Sequence, residues 1–236
     1  VVIHPELYAS PQLNSDDFYS DYVQTYIEHD VSHIINLNDK LKFQTFMETL
    51  ASITGEELVY DTLAKAVNVS VKTIQSWISV LAAGNIIHLL QPYNEQSVVK
   101  RIIKRPKIYF NDTGLAAWLA RLNDPKTLMV SLFSGRFVET YIVNEIIKSH
   151  TNNSSSAQFY YYRDTNQNEI DLVIIDKGVM HMVECKSGVF YHESDIKGFR
   201  QMKSTKLIQG ESCILCNTPT IYPITDHVIA LPISAI

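Results

Sequence analysis

Asp171, Glu184 and Lys186 are the residues whose types and spacing could do chemistry together. They lie in the stretch 169–186, EIDLVIIDKGVMHMVECK, which reads as two strands joined by a tight turn at Asp176-Lys177-Gly178. Side chains two apart on a strand share a face, so Glu184 and Lys186 point the same way, and the hairpin brings Asp171 near them. Two carboxylates and an ammonium on an otherwise apolar sheet are costly unless they hold something, such as a divalent metal beside a phosphate. Glu169, two residues before Asp171, shares its face.

A fourth residue joins them from an element upstream. Residues 135–149 form a helical pattern, with Ser134 as cap and Phe137, Val138, Tyr141, Ile142 and Ile146 as the expected buried stripe. Glu139 lies near that apolar side. Metal-assisted phosphodiester hydrolysis needs carboxylates to hold Mg²⁺ or Mn²⁺, which polarises the phosphate and lowers the pKa of an attacking water. Lys186 would orient that water or stabilise the transition-state charge. The main-chain carbonyl of Cys185 could supply a neutral ligand, while its side chain points into the core. The same residues also fit a charged sheet edge in which Lys186 is paired with a carboxylate.

These residues must be positioned by the order helix, three strands, helix, strand and a further strand. The strand 159–163 (FYYYR) precedes the hairpin, Ser194 caps a helix to about 203, and 212–216 and 228–231 are late strands. Upstream, 18–33, 41–52, 58–67 and 71–83 are helical, with Asp16 or Asp17 as the first cap and Gly55, 68–70 and 84–85 as breaks. The last pair has helix-turn-helix patterning, with Lys72, Thr73, Gln75 and Ser76 where a recognition helix would meet base edges. Strands follow at 86–90 and 107–110. Between them Lys100, Arg101, Lys104, Arg105 and Lys107 form the one dense basic cluster, suited to a phosphate backbone as the wing of a winged helix, or to solvent as a plain hairpin. A helix at 114–122 and a short connection lead to Ser134.

At 236 residues, 46% hydrophobic and 19% charged, the chain can bury a sizeable core. Its net charge of −5 argues against a non-specific nucleic-acid coat, so contact with nucleic acid must come from a local patch. No apolar run is long enough to span a bilayer. The opening VVIHPELYAS has neither a signal-peptide pattern nor an initiator Met and reads as the start of a fragment. Three cysteines without regular spacing suit a reducing cytoplasm. Cys213 and Cys216 form a C-x-x-C without a second pair, and His29 and His33 lack the Glu of a zinc helix, so neither pair reads as a metal site. There is no G-x-x-x-x-G-K-[ST] and hence no P-loop nucleotide site, and no G-x-S-x-G.

The run Glu169-Ile170-Asp171…Glu184-Cys185-Lys186-Ser187-Gly188 resembles the PD-(D/E)XK nuclease superfamily. The whole arrangement resembles the C-terminal half of a bacterial and archaeal ATPase group carrying the DUF4143 domain. The supporting stretches are YVQTYIEHDV (22–31), the helix-turn-helix at 58–83, RPKIYFNDTGLAAWL (105–119), SGRFVETYIVNEI (134–146), YYYRD (160–164), NEIDLVI (168–174) and VECKSG (183–188). His29 stands where an arginine is expected in the relatives.

The resemblance implies a mixed α+β and α/β chain: a lead-in and linker helix at 1–40, a winged-helix domain at 41–112, a helical connector at 113–133, and a restriction-endonuclease-like αβββαβ domain at 134–236. An AAA-type ATPase domain would normally precede it and act as its partner. Asp171, Glu184 and Lys186 carry the nuclease-type signature and Glu139 the helix glutamate, with Mg²⁺ or Mn²⁺ as cofactor and duplex DNA as partner. The functional expectation is a DNA-binding protein that hydrolyses phosphodiesters. The alternative is a non-catalytic DNA- or protein-binding regulatory module with a vestigial nuclease fold.

Overall fold

The computed structural model describes residues 5–10, 12–26, 31, 40–94, 105–202 and 206–236. His29 and His33, and Lys100, Arg101 and Lys104 of the basic cluster, lie outside the described residues. The chain divides into two units, one of residues 1–89 and 108–133, the other of 90–107 and 134–236.

The first unit is helical, with helices α1 (Pro5–Ala9), α2 (Ser15–Thr25), α3 (Lys40–Ser52), α4 (Tyr60–Val67) and α5 (Val71–Ala83). Asn14, not Asp16 or Asp17, caps α2, its side chain accepting the Asp16 N–H at 2.8 Å. α4 starts two residues later than the pattern suggests, because Leu58 is buried ahead of it and Val59 is extended. Asn68 closes α4 in the left-handed region (φ 57°), and the Ser70 hydroxyl accepts the Thr73 N–H at 3.0 Å to open α5. Phe43 and Phe46 of α3 meet Trp77 of α5 with ring centroids 5.1 and 5.2 Å apart. All three rings are buried and tie α3 to α5.

Strands β1 (Ile87–Leu90) and β2 (Lys107–Phe110) then pair as a two-stranded sheet. The helix α6 (Thr113–Leu119), capped by Asp112, is shorter than expected. It stops before Arg121, which takes a left-handed φ of 60°. A further helix, α7 (Pro125–Val130), follows, with Asp124 accepting the Thr127 N–H at 2.8 Å. This helix buries no residue, so the sequence here has the pattern of a plain connection.

The second unit runs α8 (Ser134–Asn152), β3 (Gln158–Arg163), β4 (Glu169–Asp176), β5 (Val179–Cys185), a 3₁₀ turn (Glu193–Ile196), α9 (Lys197–Gln201), β6 (Ile208–Gln209), β7 (Ser212–Cys216), β8 (Tyr222–Thr225) and β9 (Val228–Pro232). The sheet is mixed, in the order β3-β4-β5-β7-β9-β8, with β6 beside β5. β3, β4 and β5 pair antiparallel, whereas β5–β7 and β7–β9 are parallel. The chain is therefore α+β, helical in its N-terminal part and carrying a mixed sheet in its C-terminal part.

Lys177 (φ 49°) and Gly178 (φ 83°) both take the left-handed conformation of a two-residue hairpin turn, as the Asp-Lys-Gly run suggests. Pro223 sits in β8 without cost because β8 is the sheet's edge. His192, not Ser194, caps the 3₁₀ turn, in reciprocal hydrogen bonds with Asp195. α9 is anchored by Gly198, where a Cβ would overlap the carbonyl of Glu169.

α8 buries Phe137, Thr140, Ile142, Val143, Asn144 and Ile146, while Tyr141 is 42% exposed. The buried stripe is thus rotated from the expected one and includes two polar residues, which apolar periodicity cannot register.

Candidate functional site

The hairpin register sets the first pair of side chains. Leu172 is level with Val183 at the end of the paired register, and Asp171 and Glu184 are the next residues of the two strands. Two steps along β3, from Tyr160 to Tyr162, are matched by three along β4, from Val173 to Ile170. β4 therefore carries one extra residue at Asp171-Leu172, a β-bulge of the kind that re-aims a side chain. Asp171 is buried, and its Oδ2 accepts the Cys185 N–H at 2.8 Å.

Glu184 is buried too, and its Oε1 accepts from Lys186 Nζ at 2.6 Å. Its other oxygen, Oε2, is buried without a hydrogen-bond partner among the described residues. Burial, and then the Asp171 carboxylate, push the Glu184 carboxyl well above the usual carboxylate range against the pull of Lys186. Burial works against the Lys186 ammonium, but the Glu184 and Asp171 charges outweigh it and hold its pKa above the ordinary value. These two shifts make opposite demands on one contact. Lys186 is the firmly charged partner, because its side chain is 32% exposed against 8% for Glu184. The Cys185 thiol is pushed far up by burial and then by Asp171, so it is inert as a nucleophile.

Glu139 and Glu169 meet at Lys107, a member by sequence of the basic cluster. Lys107 is 3% exposed. Its Nζ lies 2.8 Å from Glu139 Oε1, is ion-paired to Glu169 and stands 3.8 Å from Asp171 Oδ1. The Tyr161 ring centroid is 5.6 Å from that nitrogen. Backbone clasps seat it: the Tyr161 hydroxyl donates to the Arg105 carbonyl, Tyr161 N–H donates to Gln91 O at 3.1 Å, and Tyr93 N–H donates to Tyr161 O at 2.6 Å. Lys107 is therefore no surface phosphate contact. It heads a strand, KIYF, whose four residues are all buried, and a buried lysine needs a partner. Arg163, with Nε 3.7 Å from Glu169, closes the outer side.

Four carboxylates, of Glu139, Glu169, Asp171 and Glu184, thus face the ammoniums of Lys107 and Lys186. Among the described residues no group of three or more His, Cys, Asp or Glu side chains is placed to hold a metal ion. Glu139, Glu169 and Asp171 gather on the Lys107 ammonium instead. Asp171 and Glu184 remain as a pair of hard oxygen donors, one with an unsatisfied buried oxygen. That set suits a Mg²⁺-type ion completed by water and a bound phosphate, because such ions are held by one or two carboxylates rather than by full protein cages.

Of the other residues singled out by sequence, Lys72, Gln75 and Ser76 are exposed on α5, and Thr73 is half-buried with its hydroxyl 2.7 Å from Ser70 Oγ. Arg105 is exposed. Cys213 and Cys216, like Cys185, are free thiols.

A helical unit thus precedes a mixed-sheet unit that carries a buried carboxylate–lysine site. Residues 3–126 match the family described as Domain of unknown function (DUF8612), and the chain belongs to that family. Residues 134–236 match Domain of unknown function (DUF4143). The uncharacterized protein Rv2008c of Mycobacterium tuberculosis and the uncharacterized protein Mb2031c of Mycobacterium bovis are each 23% identical over 230 residues, 97% of this chain. The chain spans about half the length of these relatives, 50% of each. The crystal structure of protein VC1899 from Vibrio cholerae aligns with 87% of this chain and 47% of its own, at 12% identity and a TM-score of 0.28, a level that says nothing of a shared fold. No described helix is long and apolar enough to cross a membrane.

Proposed function

We propose that this chain is a DNA-binding, metal-dependent phosphodiesterase portion of a longer protein, its second unit a restriction-endonuclease-like domain. The observation that carries the reading is the set of buried Asp171 and Glu184 with half-buried Lys186, in which Glu184 Oε2 has no hydrogen-bond partner among the described residues. Asp171 and Glu184 would hold Mg²⁺ or Mn²⁺, with the Cys185 carbonyl as a neutral ligand. The ion supplies Lewis-acid polarisation of the phosphate and a more acidic bound water. Asp171 is held in place by the Cys185 N–H. Lys186, charged beside Glu184, would orient water or neutralise the phosphate oxygens. The element order α, β, β, β, α, β in the second unit supports the assignment.

The first unit reads as a winged helix that docks duplex DNA. Within it, helices α3, α4 and α5 are followed by a two-stranded sheet, with a left-handed turn at Asn68, a Ser70 cap, and Lys72, Gln75 and Ser76 exposed near the start of α5. The doubled length of the relatives supports a partner domain in the same polypeptide, proposed as the ATPase of the resembling group.

The test is nicking of supercoiled plasmid at millimolar Mg²⁺ or Mn²⁺. Nicking that Asp171→Ala abolishes supports the reading. The absence of nicking by the native chain turns it toward a non-catalytic DNA- or protein-binding module. One observation favours that second reading: Lys107 already neutralises part of the acidic pocket.

A further inference from the structure

We propose that Phe190 is a base-stacking residue of the candidate site, which takes a DNA strand with one base unstacked beside the phosphate held at Lys186. The inference deepens the phosphodiesterase reading and rests on it for the phosphate, but its test requires neither metal nor cleavage.

The loop that leaves β5 is pinned to its neighbours at almost every step. Lys186 N–H donates to Leu215 O at 2.9 Å, Asn217 Nδ2 donates to Ser187 O at 2.8 Å, and Asn217 N–H donates to Gly188 O at 2.9 Å. Gly188 N–H donates to the Tyr191 hydroxyl at 2.7 Å, and a Cβ at Gly188 would overlap that hydroxyl. Tyr191 N–H donates in turn to the Tyr222 hydroxyl at 2.8 Å. The backbone is thereby fixed, yet the side chains it presents are not buried. Phe190 is 70% exposed and Val189 42%, and Ile221, next to Tyr222, is 63% exposed. A phenylalanine ring left in water forfeits its hydrophobic gain, and a loop built to hold it there marks a surface that a ligand covers.

Three observations point to a base as that ligand. The Tyr222 ring stands beside Phe190, with centroids 6.1 Å apart and planes at 46°, so an aromatic neighbour braces the ring. Phe190 follows Lys186 by four residues, which sets their Cα atoms at most about 14 Å apart, within about four steps of a stacked strand at roughly 3.4 Å each. An ammonium for phosphate and a flat aromatic face for a base are the two elements with which proteins hold single strands. Finally, β5 and β7 run parallel, and the loops 186–191 and 217–221 leave their carboxyl ends, where open sheets bind ligands.

Fluorescence anisotropy in EDTA tests the proposal on the full 236-residue chain, with a labelled oligothymidylate strand and an abasic strand of the same length as probes. Both carry the same phosphates, so basic residues act on them alike. The native chain is expected to bind the thymidylate strand at least about 5-fold more tightly than the abasic one. Phe190→Ala should lose that preference with its abasic affinity unchanged, and Phe190→Trp should restore it. If Phe190→Ala does not fold, Phe190→Leu keeps the apolar volume without a flat face and should lose the preference equally. Equal affinity of the native chain for the two strands, no binding of either, or a preference that survives these variants overturns the proposal. Were the loop a contact between copies of this chain, Phe190→Ala would abolish self-association in sedimentation velocity and leave the preference intact, which overturns it too. Base preference without nicking of plasmid at millimolar Mg²⁺ would sink the phosphodiesterase reading alone, and nicking without base preference would sink this inference alone.

Discussion

Asp171 Oδ2 accepts the backbone N–H of Cys185 at 2.8 Å, so one carboxylate is locked to the residue that separates Glu184 from Lys186. The backbone of β5 is the donor and a side chain of β4 the acceptor of this buried hydrogen bond, at the point where β4 bulges against β3. It leaves the other oxygen, Oδ1, for the site interior.

That arrangement separates shape from charge at Asp171. Asp171→Asn can still accept the Cys185 N–H and should fold, whereas Asp171→Ala leaves that buried donor unpaired and should cost about 1–3 kcal/mol. Urea denaturation in metal-free buffer measures the difference. Equal losses in the two variants would show that the hydrogen bond does not stabilise the fold.

Glu184 gives the stability a pH dependence of definite sign. Its folded pKa lies above the ordinary glutamate value of about 4.5, so the folded state binds the proton more tightly than the unfolded chain. Its contribution is fully present below about that value and is lost as the pH rises through the folded pKa. With metal removed by chelator, the native chain should lose stability relative to Glu184→Gln as pH rises from acid toward neutrality. The check is the difference between the two Tm–pH curves, and parallel curves would remove Glu184 as the source.

Lys72 is exposed on α5 and is proposed as a phosphate contact. Lys72→Glu should weaken duplex binding across sequences alike and reduce the slope of log K against log salt by about 1. Fluorescence anisotropy at several salt concentrations reads both quantities. An unchanged slope would place α5 away from the duplex.

Burial, and then the nearby Cys216, raise the Cys213 thiol to about 12. At pH 8 the native chain should react with iodoacetamide at Cys213 far more slowly than the urea-unfolded chain does, as mass spectrometry of the alkylated peptide can measure. Similar rates would mean that the strand Ser212–Cys216 opens readily.

Much of this site was legible in the sequence, and the part that was not has a physical reason. The hairpin could be read because an Asp-Lys-Gly turn and two apolar runs are local signals, and the spacing of Glu184 and Lys186 fixes a common face. Lys107 could not be read as a site residue by its neighbours, since four nearby basic residues made it look like surface. Its partners lie 32 or more residues away, at Glu139, Glu169 and Asp171. The bulge at Asp171-Leu172 was likewise invisible, being a property of how β4 pairs with β3 rather than of β4 itself. The helix Pro125–Val130 escaped because it has caps but no buried face, and β8 because Pro223 argues against a strand anywhere except at an edge.

The central claim is that Asp171 and Glu184 share one divalent ion. Crystals of the chain soaked in millimolar Mn²⁺, measured for anomalous scattering, test it most directly. The expected result is a peak within about 2.5 Å of both Asp171 Oδ1 and Glu184 Oε2, absent in Asp171→Ala. A map with no peak there, or with Mn²⁺ bound only elsewhere, would contradict it.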